Sequence, residues 1–124
     1  MDQLTLLPFT FLLMLLFQIW HIFEEIGQKA YVVGGTLKFY LRAASAIVGV
    51  HFGMYTLILL ELRIGYWAGL LGAFFAIGNG FIHLVGYIKT KTYYESLGAG
   101  VFTGIPLGIV GGIVLWQLIR VLDF

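Results

Sequence analysis

The stretch Gln18-Ile19-Trp20-His21-Ile22-Phe23-Glu24-Glu25-Ile26-Gly27-Gln28 follows directly on an apolar run at residues 4–17. Run and stretch together are long enough to enter a membrane, where a bare charge costs several kcal/mol. On a helix that turns about 100° per residue, four polar side chains of the stretch share an arc of roughly 100°. They are His21, Glu24, Glu25 and Gln28. We therefore expect the function of the protein to reside on this helix face.

The composition is that of an integral membrane protein. Of the 124 residues, 60% are hydrophobic and 10% are charged, whereas a soluble domain carries about 25% charged residues. Each crossing takes about 20 residues, so residues 1–124 are predicted to form a single all-α domain, a four-span transmembrane helix bundle. The predicted spans are residues 5–23, 43–62, 66–88 and 97–121. Cysteine is absent, which excludes thiolate ligands, and no basic patch indicates a nucleic-acid partner.

The distribution of Lys and Arg predicts the orientation in the membrane. Five of these residues fall in the first and third links between spans, and two fall on the opposite side. The five are Lys29, Lys38, Arg42, Lys89 and Lys91. Because cytoplasmic loops carry an excess of positive charge, we expect these two links in the cytoplasm and both termini outside.

The fourth span carries a glycine ridge, with glycine at every fourth residue: Gly100, Gly104, Gly108 and Gly112. Small residues at this spacing let the backbone of a neighbouring helix approach closely, which is how helices gain packing energy in lipid. The ridge predicts tight packing within the bundle. It also offers a surface for a homo-oligomer.

All three histidines of the chain fall within or at the end of a predicted span. With a rise of about 1.5 Å per residue, His51 lies roughly 12 to 14 Å from the cytoplasmic start of span two. His83 lies roughly 7 Å from the cytoplasmic end of span three, with Asn79 one turn deeper on the same face. His21 lies near the cytoplasmic end of span one. The three histidines are thus predicted to share one site in the cytoplasmic half of the bilayer.

An alternative interpretation is that these polar residues have only a structural role. A single histidine in a helix is usually hydrogen-bonded to a neighbour and has no further role. Glu24 and Glu25 would then face cytoplasmic water, with Lys29 as an ion-pair partner. The placement of all three histidines and Asn79 at similar depth favours the shared site.

The residue types of this site suit two kinds of chemistry. The first is a divalent transition metal, zinc, iron or manganese, because nitrogen and oxygen ligands without sulfur favour these ions. The predicted metal ligands are His21, Glu24, Glu25, His51 and His83, supported through hydrogen bonds by Asn79, Gln28 and Tyr87. The second is metal-free acid–base catalysis, with Glu24, Glu25 and His83 as the catalytic groups.

Three functions remain open on this evidence. The first is an intramembrane metal-dependent enzyme that acts on a lipid or another apolar small molecule. The second is a metal-free isomerase or cyclase of apolar substrates. The third is an oligomeric transporter of small molecules or ions, in which the site is a binding station at a helix interface.

The chain resembles the HXXEE family of small bacterial integral membrane proteins, named for the motif that stands here as His21-Ile22-Phe23-Glu24-Glu25. A later segment is similar to the pattern of that family: Asn79 and His83, then Tyr94 leading to residues 98–103 and Pro106. Ala99-Gly100 stands where the pattern has a Pro-Gly pair. The resemblance implies a bacterial inner membrane and the same choice of site residues. It implies no reaction, because the family has no established activity.

Overall fold

The computed structural model describes residues 3–123, and the side chains from residue 6 onward. The described chain is all-α, with helices α1 (Gln3–Gly27), α2 (Tyr31–Gly34), α3 (Leu37–Leu59), α4 (Arg63–Thr90) and α5 (Val101–Val121). Four of them are long and apolar enough to cross a membrane: Leu6–Gly27, Leu37–Leu59, Arg63–Thr90 and Val101–Val121. The predicted fold class, an all-α four-helix membrane bundle, is confirmed. The end of the bundle that faces the cytoplasm stays a prediction, because the positions of the helices do not distinguish the two sides of the membrane.

Two helices, α3 and α5, begin at residues that differ from the predicted starts of their spans, and in both the capping residue explains the difference. Helix α3 begins six residues before position 43, because the side chain of Thr36 accepts a hydrogen bond from the Phe39 amide and caps the helix there. Helix α5 begins four residues after position 97. Its N-cap is Gly100 in the left-handed conformation, with φ 86°, which glycine adopts without steric cost.

The loop end of the bundle, formed by residues 28–36 and 91–100, is where the polar side chains gather. The opposite half is packed with apolar residues from α1, α4 and α5. These include Phe11, Met14, Ala73, Leu107 and Val114. Each long helix turns back on the previous one, so the C-terminal ends of α1 and α4 meet the N-terminal ends of α3 and α5 at the loop end. Four helix termini therefore surround one location.

The glycine ridge packs within the bundle. A Cβ atom on Gly80 of α4 would lie 2.5 Å from the Gly104 carbonyl oxygen and 3.1 Å from the Gly108 Cα atom. Gly100 lies against the His21 ring, whereas a Cβ on Gly112 would meet nothing within 4 Å. Three of the four ridge glycines thus serve contacts inside the chain. The homo-oligomer stays a prediction.

Helix α3 is the least buried of the long helices. It buries three side chains, one every seven residues: Ala44, His51 and Ile58. Its remaining faces are available to lipid, and its N-terminal part leaves space against α1, α2 and α4. That space adjoins the polar residues of the loop end.

Candidate metal centre

Three side chains from two helices form a compact cluster at the loop end: His21 and Glu25 of α1, and His83 of α4. The Nε2 atom of His83 lies 3.2 Å from Oε1 of Glu25, and the Nε2 atom of His21 lies 3.6 Å from Oε2 of Glu25. One ligand atom from each residue lies within 4.8 Å of the other two. Both histidines are buried. Among the described side chains, this is the group with the spacing of a metal site.

The proton on each imidazole is directed away from the cluster. The Nδ1 atom of His83 lies 3.1 Å from the Leu97 carbonyl oxygen, which can only accept, so this nitrogen is the donor. The Nδ1 atom of His21 lies 3.0 Å from the Thr103 hydroxyl oxygen. That hydroxyl donates its own hydrogen to Glu24, so it accepts from His21. In the neutral imidazoles, both Nε2 atoms consequently carry lone pairs, and both face Glu25. If His83 takes a second proton, its Nε2 atom instead donates to Glu25 and to the Asn79 side-chain oxygen.

Glu25 connects three helices through its two oxygens. Oε1 lies against His83, and Oε2 accepts a hydrogen bond from the Tyr40 hydroxyl of α3. The Asn79 side-chain oxygen lies 3.1 Å from His83 Nε2, so an amide adjoins the cluster from one turn deeper on α4. The arrangement fixes the carboxylate of Glu25 between the two imidazoles.

Glu24 lies apart from this cluster, although the sequence predicts it as a ligand. Its Oε1 accepts the Phe102 amide at 3.2 Å, and its Oε2 accepts both the Thr103 amide at 2.8 Å and the Thr103 hydroxyl. A carboxylate at a helix N-terminus satisfies free amides and faces the positive end of the helix dipole. Adjacent helical residues point about 100° apart, so Glu24 turns to α5 while Glu25 turns to α3 and α4.

His51, predicted as the fifth ligand, also lies outside the cluster. Because α3 begins at Leu37, His51 is about 21 Å along the helix from the loop end. His83 precedes the end of α4 by only about 10 Å. The His51 Nδ1 atom hydrogen-bonds the Ile47 carbonyl at 2.8 Å, and its ring packs against Phe75. The agreement in depth that the sequence suggested depended on starting span two six residues too late.

The remaining predicted residues take structural positions around the site. The side-chain oxygen of Gln28 accepts the Gly100 amide at 2.7 Å, which ties the end of α1 to the start of α5. The Tyr87 ring stacks on Tyr93 with centroids 4.4 Å apart, in a contact separate from the cluster. Neither side chain hydrogen-bonds a histidine of the cluster.

The water-facing alternative for the two glutamates is not what the structure shows. Both side chains point to groups of the bundle, and Lys29 lies 3.6 Å from Glu95 in the third link. A hydrogen bond with Tyr94 raises the pKa of the exposed Lys29 ammonium. The cation next to the motif therefore belongs to the surface of the loop end.

Thr103 and Tyr40 are the site residues that sequence reasoning missed. Thr103 was visible only as one residue of the pattern that resembles the HXXEE family, and Tyr40 only as one of several tyrosines near a predicted membrane boundary. Their roles depend on which helices meet at the loop end, which periodicity within one helix does not reveal.

Two cavities meet at Glu25 and Tyr40. The larger holds about 290 Å³ and lies between α2, α3 and α4, with His83 at its inner end. The smaller holds about 100 Å³ and reaches Gln18 and Asn79 on the deeper side. The cluster is therefore accessible to a small molecule from one side.

In the comparisons with known proteins, no family model, no curated protein and no solved structure matches the chain. The resemblance to the HXXEE family stays a prediction. The class that the fold and the site define is a four-helix membrane protein with a buried His–Glu–His cluster.

Proposed function

We propose that His21, Glu25 and His83 bind one divalent transition metal ion, with zinc as the first candidate. The observation that carries the proposal is that two imidazoles and a carboxylate each place one ligand atom within 4.8 Å of the other two. In a tetrahedral zinc site with bonds of about 2.0 to 2.1 Å, ligand atoms lie about 3.3 Å apart. The separation of 3.2 Å from His83 to one Glu25 oxygen and that of 3.6 Å from His21 to the other oxygen lie on either side of that value. Without a metal ion, the buried His21 Nε2 atom has no hydrogen-bond partner, and the His83 Nε2 atom needs a second proton to donate to Glu25.

The ligand set further supports an enzymatic role. Two histidines and one glutamate are a known set for catalytic zinc, which keeps its fourth position open for water or substrate. The larger cavity reaches Glu25 and His83, so a substrate has access to that position. A metal held there would act as a Lewis acid and lower the pKa of a bound water. We infer a metal-dependent enzyme that acts on an apolar molecule dissolved in the membrane.

The second candidate function is metal-free acid–base catalysis by the same side chains. The observation that favours it is the chain of contacts from the Tyr40 hydroxyl through the Glu25 carboxylate to His83 Nε2. One added proton between Glu25 and His83 would turn their 3.2 Å contact into a hydrogen bond. Such a pair can accept and return a proton at a substrate carbon. Absence of metal from the purified protein would favour this candidate.

The first prediction concerns metal content. The protein is produced without a histidine tag, exposed to zinc, iron and manganese salts, and washed through a desalting column. Elemental mass spectrometry should then find about one ion per chain, because three preformed ligands hold the ion through the wash. His51→Ala is the matched control, since it removes an intramembrane histidine outside the cluster, and it should retain the ion. Wild-type protein that holds no more metal than His83→Ala would contradict the metal proposal.

The second prediction concerns Thr103. Thr103→Val keeps the shape of the side chain but removes the oxygen that fixes His21, so the imidazole can rotate or change tautomer. Groups that orient metal-bound histidines typically contribute 10- to 100-fold in affinity, so we expect a loss of about that size. Thr103→Ser restores the hydroxyl and should restore zinc affinity, measured by competition with a chromophoric chelator. Equal affinity in the valine and serine variants would show that Thr103 does not position His21.

A further inference from the structure

The lateral cavity, the 290 Å³ space that ends at Glu25 and His83, has apolar walls. Helix α2 and its flanks supply one wall, α3 a second, and the C-terminal half of α4 with the link before α5 a third. The wall residues include Ala30, Val33, Phe39, Ala43, Ile82 and Leu97. Its ionisable cluster residues lie at one end, where Tyr40 donates to Glu25. Tyr31, Thr36 and Ser96 are the other polar residues of the lining. A ligand that fits is apolar along its length and polar at one tip.

The outer part of the lateral cavity is formed by exposed apolar side chains, two of which belong to the membrane-spanning helices α3 and α4. Phe39 is 65% exposed, Ile82 is 53% exposed and Val33 is 50% exposed. Exposing large apolar side chains to this extent costs free energy in water, whereas exposing them to hydrocarbon does not. The lateral cavity therefore opens towards the bilayer, so its ligand can enter from the membrane without crossing water.

The charges around the lateral cavity restrict the head group of the ligand. Among the described residues that line it, none is Lys or Arg, and the one carboxylate is Glu25. The metal would lie at the polar end of the cavity, where it is a Lewis acid that can bind the carbonyl oxygen of an ester or amide. The lining thus leaves the metal as the group that recognises the head group.

We propose that the lateral cavity binds one single-chain acyl lipid, a fatty acid ester or amide, with its carbonyl oxygen at the metal and its chain running outward between α2, α3 and α4. This inference rests on the proposed metal site. The cavity volume is at the lower end of ligand pockets, which span about 300 to 1,000 Å³. That size suits one hydrocarbon chain.

The test uses decanohydroxamic acid, an acyl compound of ten carbons whose head group chelates metal as the hydroxamate anion, through the carbonyl oxygen and the adjacent N–O oxygen. The protein is loaded with cobalt(II), whose visible absorption reports ligand binding. Gly34→Phe fills the lateral cavity, because Gly34 lines it and a Cβ there meets nothing within 4 Å. We expect this variant to bind decanohydroxamate at least about tenfold more weakly than wild type, a difference of about 1.4 kcal/mol. Acetohydroxamate, which lacks the chain, should bind both proteins within about twofold.

Two controls separate the cavity from other effects. Gly49→Phe places the same side chain on the lipid-facing side of α3, where a Cβ also meets nothing within 4 Å, and should bind decanohydroxamate like wild type. Ala43→Phe fills the lateral cavity from α3 and replaces Gly34→Phe if that variant does not fold.

The outcomes distinguish this inference from the proposed metal site. Failure of wild type to bind cobalt would overturn the metal site and this inference with it. Stoichiometric cobalt in every variant, with decanohydroxamate binding unchanged by the filled cavity, would overturn the acyl-lipid site and leave the metal site standing.

Discussion

Replacing Glu25 by glutamine should remove the metal from the protein, while the same change at Glu24 should leave it bound. Glu25 is the only anion of the cluster, and its two oxygens face the two imidazoles. A neutral amide is a poor ligand for zinc, and its NH₂ group would face an Nε2 lone pair. Loss of a group that merely orients a ligand costs about 10- to 100-fold. For the loss of this ligand we expect a decrease in zinc affinity of more than about 100-fold.

Glu24→Gln is the informative control because the two residues are adjacent and chemically identical. In Glu24→Gln, one amide oxygen remains to accept from the N-terminus of α5, so we expect a modest loss of stability and at most a 10- to 100-fold weaker site through Thr103. Both variants are measured by elemental analysis and by chelator competition. A larger loss of metal in Glu24→Gln than in Glu25→Gln would contradict the assignment of roles.

The fold was predictable from the sequence because the membrane imposes strong constraints on it. A helix satisfies its own backbone hydrogen bonds, and only a long apolar helix is stable in hydrocarbon. The positions of the helix ends were less predictable, because they depend on caps such as Thr36 and Gly100. A shift of six residues at the start of α3 changed the depth of His51 by about 9 Å, enough to separate it from the cluster.

The candidate site was partly predictable for the same reason. Helical periodicity brought His21 and Glu25 to one face, one turn apart, and the comparison of depths brought His83 to them. Periodicity also grouped Glu24 with Glu25, because side chains that point up to about 100° apart were counted as one helix face. Only the packing of α5 against α1 shows that the two carboxylates face different helices. The roles of Glu24 and Glu25 cannot be distinguished from the periodicity of α1 alone. They depend on which neighbouring helices each side chain contacts.

The close approach of α4 and α5 is the packing feature on which the site depends most. His83 lies on α4 three residues after Gly80, and Thr103 lies on α5 one residue before Gly104. Gly80 and Gly104 are in direct backbone contact, as the 2.5 Å distance from a Gly80 Cβ to the Gly104 carbonyl oxygen shows. Any increase in the separation of these helices would move His83 away from Thr103 and from the His21 imidazole that Thr103 fixes.

Gly80→Leu should therefore unfold the bundle or leave it much less stable, and Gly78→Leu should be tolerated. Overpacking a core ordinarily costs about 1 to 3 kcal/mol; here the clash is with backbone atoms, which cannot rotate away, so we expect a cost of at least about 3 kcal/mol. Gly78 lies two residues earlier on α4, and a Cβ there meets nothing within 4 Å. Thermal unfolding in detergent compares the two variants with wild type. Equal stability of Gly80→Leu and Gly78→Leu would mean that α4 and α5 do not pack through their glycines, and the metal cluster would lose its structural support.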